Sequence, residues 1–195
     1  KGLIGSRVSM TNPAEIYSIH GMTGEAVQLT QINKIIWDKI KKAEVRQKWV
    51  QTTDGKKMLV WTILPPDFDP KKKYPVVFYV YSEPAGTTVT DTYGADQNGL
   101  YMGDMAEDGY IYISLDNRGT PAPKGREWRK SIYRKIGVIN INDQAMAAKE
   151  ILKWDFIDPE RVAVWGWSGG GSATLNLMFQ HPEIYKTGIA IAAVA

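Results

Sequence analysis

The sequence predicts an α/β domain with a mostly parallel, doubly wound sheet, and three observations carry that prediction. Residues 76–81, 110–115 and 161–166 are near-continuous apolar runs, rich in β-branched and aromatic side chains, as strands buried on both faces are. Stretches with helical spacing of apolar residues lie between and after these runs, the alternation that builds crossover connections. The last run passes directly into Gly166-Trp167-Ser168-Gly169-Gly170-Gly171, small residues where a strand must turn sharply into a helix. A length of 195 residues with 44% hydrophobic and 23% charged residues suits one globular domain or part of a larger one.

The elements follow in order. Residues 1–49 are polar, with short apolar pieces. Glu15-Ile16-Tyr17-Ser18-Ile19 reads as a strand, residues 21–25 as a turn and residues 26–29 as the next strand. That hairpin rhythm is how a propeller blade or a small antiparallel sheet is written, so residues 1–49 are expected to be the last part of a β-propeller domain. Lys39, Lys41, Lys42, Arg46 and Lys48 read as a solvated face. Residues 50–195 form the second domain, the N-terminal portion of the α/β unit. Asp54-Gly55 sets a turn between a strand ending near Gln51 and a strand over residues 58–64, a predicted hairpin. Residues 65–73, with Pro65-Pro66 and Lys71-Lys72-Lys73, form an exposed loop. After the strand at 76–81, Leu100, Met102, Met105 and Ala106 suggest a helix over residues 97–108. The strand at 110–115 precedes a helix over residues 142–154, with Ala145, Met146, Ala148, Ile151 and Leu152 on one face and Asn140 or Asn142 as N-cap. The strand at 161–166 leads to a helix over residues 169–180, and residues 187–194 form a final apolar strand.

Composition removes several classes of function. With 24 Lys+Arg against 21 Asp+Glu, the charge is too balanced to argue for nucleic acid or an anionic membrane. No basic patch has the interleaved aromatics of a nucleic-acid groove. The absence of cysteine excludes disulfides and thiolate-held metals, and there is no histidine pair at ligand spacing. No metal or cofactor is implied. Nothing is long and apolar enough to span a bilayer, and no signal peptide is visible. Lacking an initial Met, the chain is expected to be a processed form or a fragment.

The residues with chemistry are at 166–170. A buried strand, then Gly-x-Ser-x-Gly, then a helix is the pattern of a nucleophile elbow. Ser168 must sit in a strained turn with its hydroxyl at the strand's C-terminal edge. Gly166 and Gly170 must let strand and helix approach. The Gly169 amide, at a helix N-terminus, then faces a developing oxyanion. The competing reading is a glycine-rich helix start with an uninvolved serine. A phosphate loop lacks its Lys-Ser/Thr pair.

On these residues the sequence resembles the prolyl oligopeptidase family of serine peptidases, most closely its dipeptidyl peptidase IV-like branch. Residues 166–171 match that branch's Gly-Trp-Ser-x-Gly-Gly elbow. Residues 75–81 with Pro84 resemble the strand that ends in the family's oxyanion tyrosine. Asp116-Asn117-Arg118-Gly119-Thr120 resembles its Asp-x-Arg-Gly-Ser/Thr turn, and Tyr133, Gly137, Asp143-Gln144, His181-Pro182 and residues 186–192 resemble segments around the nucleophile helix. The resemblance implies an α/β-hydrolase fold, truncated at both ends, preceded by the end of a propeller. It implies that Ser168 is the acyl-enzyme nucleophile and that the Tyr81 hydroxyl and the Gly169 amide bind the oxyanion. Trp167 is a candidate substrate contact, while Arg118 and Asp143 tie loops near the site. The implied substrate is a peptide, cut after Pro or Ala to release N-terminal dipeptides. A homodimer of the full-length parent and a periplasmic or secreted location are further expectations.

Two departures stand out. Glu83 occupies the position before Pro84 where the family usually has a small residue, often Gly. Gly169 stands where many relatives carry a Tyr whose ring lines the pocket for the residue at the cleaved bond, which puts a proline-sized pocket in doubt.

The family order is nucleophile, acid, then His. After Ser168 only Glu183 and His181 offer such groups, in the wrong order and just past the nucleophile helix. His181 before Pro182 reads as a helix C-terminus, and His20 lies in the propeller-like part. The catalytic Asp and His are therefore expected to be absent from this chain, which alone should be inactive. Two alternatives stay open: another α/β-hydrolase (an esterase or acylaminoacyl-type peptidase), or a non-catalytic module with a relic elbow.

Overall fold

The computed structural model describes residues 2–38, 43–95 and 101–194. The chain divides into two compact units, residues 1–42 with 90–101, and residues 43–89 with 102–195.

In the first unit, β1 (Gly2–Ser9), β2 (Asn12–His20) and β3 (Ala26–Gln28) form an antiparallel sheet in the order β1-β2-β3. The short helix α1 (Lys34–Trp37) follows. The sequence reading anticipates β2 and β3 but not β1. Leu3 and Ile4 are exposed, so β1 carries no buried apolar face that would mark it. Asp91 is stitched to the β1–β2 turn, where the Met10 N–H donates to its Oδ1 at 2.8 Å.

The second unit is built on a six-stranded sheet. Its elements are β4 (Glu44–Gln51), β5 (Lys57–Leu64), β6 (Tyr74–Tyr79), β7 (Ile111–Leu115), α2 (Gly125–Lys130), α3 (Ile139–Ile151), β8 (Ile157–Trp167), α4 (Gly169–Gln180) and β9 (Thr187–Ile191). The strand order is β4-β5-β7-β6-β8-β9. β4, β5 and β7 pair antiparallel, whereas β7, β6, β8 and β9 run parallel. The sheet is therefore mixed. Its centre is apolar because Val76, Phe78, Ile111, Ile113, Leu115, Val162 and Val164 are buried against Ile141, Ala145, Ala148, Ile151 and Leu177 of the helices. Removing such area from water supplies the main drive to fold.

Four expectations need correction. β4 pairs along its whole length with β5, from Glu44 opposite Leu64 to Gln51 opposite Lys57. The α/β sheet thus takes in residues assigned from sequence to a domain ending at 49. An edge strand keeps polar and basic side chains such as Gln47 and Lys48 in solvent, so it reads as polar. The helix expected over residues 97–108 does not form over 101–108, which are turns and bends; Met102 is fully exposed and the Asp104 carboxylate accepts from the Ala106 and Glu107 N–H groups. Residues 97–100 lie outside the described residues. Helix α3 starts earlier than expected, with Val138 as its N-cap and no side-chain cap; Asn140 lies inside it and Asn142 is not the cap. Finally, β9 is short and exposed at the sheet edge, with Ile189 open to solvent.

Candidate active site

β8 delivers Ser168. It lies between β6 and β9, with Val164 fully buried, and it ends at Trp167. Ser168 then takes φ 54° and ψ −119°, a region that costs a non-glycine residue roughly 1–3 kcal/mol. The turn is held on both sides: the Ser168 N–H donates to the Ile191 carbonyl at 2.8 Å, and the Ser168 carbonyl accepts from Ser172 N–H at 3.0 Å. Ser168 occupies the N-cap position of α4, yet its side chain makes no capping hydrogen bond. The residue is partly exposed, so its hydroxyl stands at the C-terminal edge of a central strand, outside the packed core.

The glycines around it are required by contact. A β-carbon on Gly166 would stand 2.4 Å from the carbonyl oxygens of Gly170 and Val80. One on Gly170 would stand 2.2 Å from the Val80 oxygen and 3.2 Å from the Tyr81 Cα. These approaches draw the end of β6 onto the start of α4. β6 and β8 are parallel neighbours, Tyr79 opposite Trp165, and the Val80 N–H extends the pairing to the Trp165 carbonyl at 3.0 Å. Tyr81 therefore leaves the sheet at the same edge as Ser168, where ligands meet open α/β sheets. Gly169 is the first residue of α4, so its N–H has no partner within the helix and lies at the positive end of the helix dipole.

Glu83 reaches back over this turn. A β-carbon on Gly169 would stand 2.1 Å from the Glu83 Cδ and 2.3 and 2.5 Å from its two carboxylate oxygens. The two departures noted in the sequence are one structural feature: the carboxylate fills the space from which a side chain at 169 would spring. Among the described residues no hydrogen bond or ion pair ties down that carboxylate.

A buried polar network holds the segment between Tyr81 and Glu83. Ser82 has φ 64° and is 3% exposed. Its carbonyl accepts from Asn117 Nδ2 at 3.2 Å, and its hydroxyl from Asn140 Nδ2 at 3.0 Å. Gln144 Nε2 in turn donates to the Asn117 side-chain oxygen at 2.9 Å and the Leu115 carbonyl at 3.1 Å. Arg118 grips Asp143 through Nε at 3.0–3.1 Å and Nη2 at 2.5 Å, and its own N–H donates to the same carboxylate at 2.8 Å. The sequence reading does not single out Ser82; it offers Asn140 only as a cap and includes Asn117 and Gln144 only within family-like motifs, without a role. Polar residues at helix positions facing a sheet are the signal that marks them.

Trp167 ends β8 and is 53% exposed. His181 caps the end of α4, so at 1.5 Å per residue it lies about 20 Å along the helix from Ser168. Its Nδ1 is 3.4 Å from Glu183 Oε1. His20 belongs to the first unit, where its Nδ1 pairs with Thr23 Oγ1 at 2.9 Å. Among the described residues no group of three or more His, Asp or Glu side chains could hold a metal ion, and no helix is long and apolar enough to cross a membrane.

Comparison with known proteins places this fold among solved peptidase structures. Dipeptidyl-peptidase 5 of Porphyromonas gingivalis is 33% identical over 192 residues, 98% of this chain and 27% of that protein. The crystal structure of Porphyromonas gingivalis dipeptidyl peptidase 4 superposes with a TM-score of 0.84 at 29% identity, over 100% of this chain and 29% of that one. The acylaminoacyl peptidase of Pyrococcus horikoshii superposes with a TM-score of 0.82 at 26% identity, over 100% of this chain and 30% of that one. The chain thus spans a little over a quarter of the length of these relatives. The profile of the prolyl oligopeptidase family matches residues 100–195, the half that carries the Ser168 elbow, and the chain belongs to that family of serine peptidases.

Proposed function

We propose that Ser168 is the nucleophile of a serine peptidase that cuts peptide bonds through an acyl-enzyme and releases dipeptides from peptide N-termini. The observation that carries this reading is the strained, partly exposed serine between a central strand and the N-terminus of α4. Its hydroxyl would attack the scissile carbonyl. The Gly169 N–H and the Tyr81 hydroxyl would take the charge that develops on the carbonyl oxygen. Trp167, beside the nucleophile and open to solvent, would meet the substrate. Arg118 and Asp143 would act at a distance, by holding the turn that buttresses Ser82.

Ser168 needs a base, and neither histidine here is suited to it: His181 lies at the far end of α4. The Asp and His would come from parts of the parent protein outside this chain, so this chain alone would be inactive. Residues preceding the α/β unit would be the end of a β-propeller, a reading supported by the antiparallel β1-β2-β3 sheet. Dipeptidyl action is supported by the similarity to dipeptidyl-peptidase 5. An acylaminoacyl-type activity is the second reading, favoured by the likeness to the Pyrococcus enzyme.

The test is a fluorophosphonate probe on the full-length parent, followed by peptide mapping. An adduct on Ser168, absent in Ser168→Ala, is expected; no adduct overturns the enzyme reading and leaves a non-catalytic module. In the same protein Tyr81→Phe should lower kcat about 10²–10³-fold with a small change in KM, the usual loss of one oxyanion donor. Reporters with free and acetylated amino termini separate the dipeptidyl from the acylaminoacyl reading.

A further inference from the structure

We infer that Glu83 is a specificity-determining residue that selects a cationic side chain, Lys or Arg, at the residue whose carbonyl Ser168 attacks. The inference rests on the serine-peptidase reading and replaces the expectation of Pro or Ala at that position.

The argument begins with space. Glu83 lies in a segment fixed by its neighbours, because Ser82 is clamped by Asn117 and Asn140 and the preceding Val80 carbonyl packs on Gly170. From that segment the carboxylate comes to rest on Gly169, within 2.1–2.5 Å of where a β-carbon would be. Gly169 directly follows Ser168. Whatever stands against Gly169 therefore lies close to the residue whose carbonyl Ser168 attacks, and here that is a carboxylate.

Charge decides what such a position accepts. Among the described residues the carboxylate has no hydrogen-bond or ion-pair partner, and it is only partly exposed. A charged group so placed gains most from an opposite charge that the ligand supplies. The alternative is costly at the chemical step. Attack by Ser168 puts negative charge on the carbonyl oxygen beside the Gly169 amide, and a carboxylate against the same residue opposes it. A Lys or Arg side chain on the substrate screens that repulsion and pairs with Glu83 at once. A proline or alanine substrate does neither.

The experiment uses the full-length parent and matched dipeptidyl reporters that end in Arg, Lys, norleucine, Ala or Pro before the cleaved bond. Norleucine keeps the length of lysine without its charge. For the wild type, kcat/KM on the Arg and Lys reporters should exceed that on norleucine about 10- to 100-fold, the range of one charge-assisted contact. In Glu83→Gln that advantage should vanish while turnover of the norleucine reporter rises. Gly169→Ala is the second variant: its β-carbon must push the carboxylate aside while leaving the charge in the protein, and it should also erase the preference. A wild type that favours Pro, Ala or norleucine overturns the inference. So does Glu83→Gln that changes all reporters in the same direction. Fluorophosphonate labelling separates the two failures. An adduct on Ser168 without a cationic preference overturns the inference alone, whereas no adduct removes the peptidase reading and this inference with it.

Discussion

Gly170 and Val80 meet so closely that a β-carbon on the glycine would stand 2.2 Å from the valine carbonyl oxygen. That contact is backbone against backbone, and Val80 is 1% exposed, so neither side can yield cheaply. It sets the distance between the strand end that carries Tyr81 and the helix start that follows Ser168. Gly170→Ala should therefore destabilise by more than the roughly 1–3 kcal/mol of ordinary overpacking. Where the protein still folds, the Tyr81 segment must be displaced, and kcat should fall more than KM rises. Urea denaturation and steady-state kinetics on the full-length parent check the pair of effects; a variant as stable and as active as the wild type would show that the contact is not tight.

Ser168→Gly should do the reverse for stability. The turn requires φ 54° and ψ −119°, which glycine adopts without the steric penalty of a β-carbon. Relief of that strain is worth about 1–3 kcal/mol, offset in part by the greater freedom of glycine in the unfolded chain. A net gain in the urea midpoint with turnover abolished is expected. Ser168→Ala, which keeps the β-carbon, should lose turnover without the gain in stability.

The sequence made the strand–turn–helix at 157–180 legible because each part has its own chemical cue: a β-branched run, three clustered glycines and an apolar helix face. The β4–β5 hairpin was legible through Asp54-Gly55, and Gly55 indeed takes φ 77°. What escaped was set by tertiary contact. β4 reads as a polar tail because an edge strand shows its side chains to water. The stretch at 101–108 has helical spacing, but local bonds that the Ala106 and Glu107 N–H groups donate to the Asp104 carboxylate divert it into a turn. The pairing of Glu83 with Gly169 lies 86 positions apart in the chain, and no local pattern predicts that one residue fills the space vacated by the other.

Asp116 gives the α/β unit a pH-dependent stability. The residue is 4% exposed, and burial raises its carboxyl pKa above the ordinary carboxylate value, against the lowering effect of bonds from Thr88 and Val89. A group whose folded pKa is raised binds its proton more tightly in the native state. Stability therefore falls as pH rises from about 4, the unfolded value, through the higher folded value, and is level above it. Asp116→Asn removes the titration. The variant can keep an acceptor toward the Thr88 N–H (2.9 Å) but exchanges one carboxylate oxygen for an amide NH2, so absolute stability is not the readout. The slope of urea midpoint against pH is: the downward slope contributed by this group should be absent in the variant, and an unaltered slope would show that Asp116 does not titrate differently in the fold.

The Arg118–Asp143 pair should behave as a buried charge pair that is expensive to halve. Asp143 has a fully buried side chain, and Arg118 is only 20% exposed. Arg118→Met leaves that carboxylate inside the protein without its guanidinium, which typically costs about 3–5 kcal/mol. The Arg118 N–H also donates to Asp143 Oδ2 at 2.8 Å, so removing the carboxylate altogether would orphan a backbone donor. Arg118→Met combined with Asp143→Asn avoids both faults: no charge is left buried and unpaired, since Asp54, which Arg118 Nη2 also meets at 3.2 Å, is partly exposed, and an oxygen remains for the N–H. The double variant should therefore recover a large part of the stability lost in the single one, a non-additive result of the kind neighbouring groups give. Activity should follow a different order. The turn at 117–118 carries Asn117, which holds the Ser82 carbonyl and through it the backbone between Tyr81 and Glu83. If the arginine only stabilised the fold, kcat measured below the unfolding transition would match the wild type in both variants. A positioning role instead predicts a lowered kcat that persists in the double variant after its stability has returned.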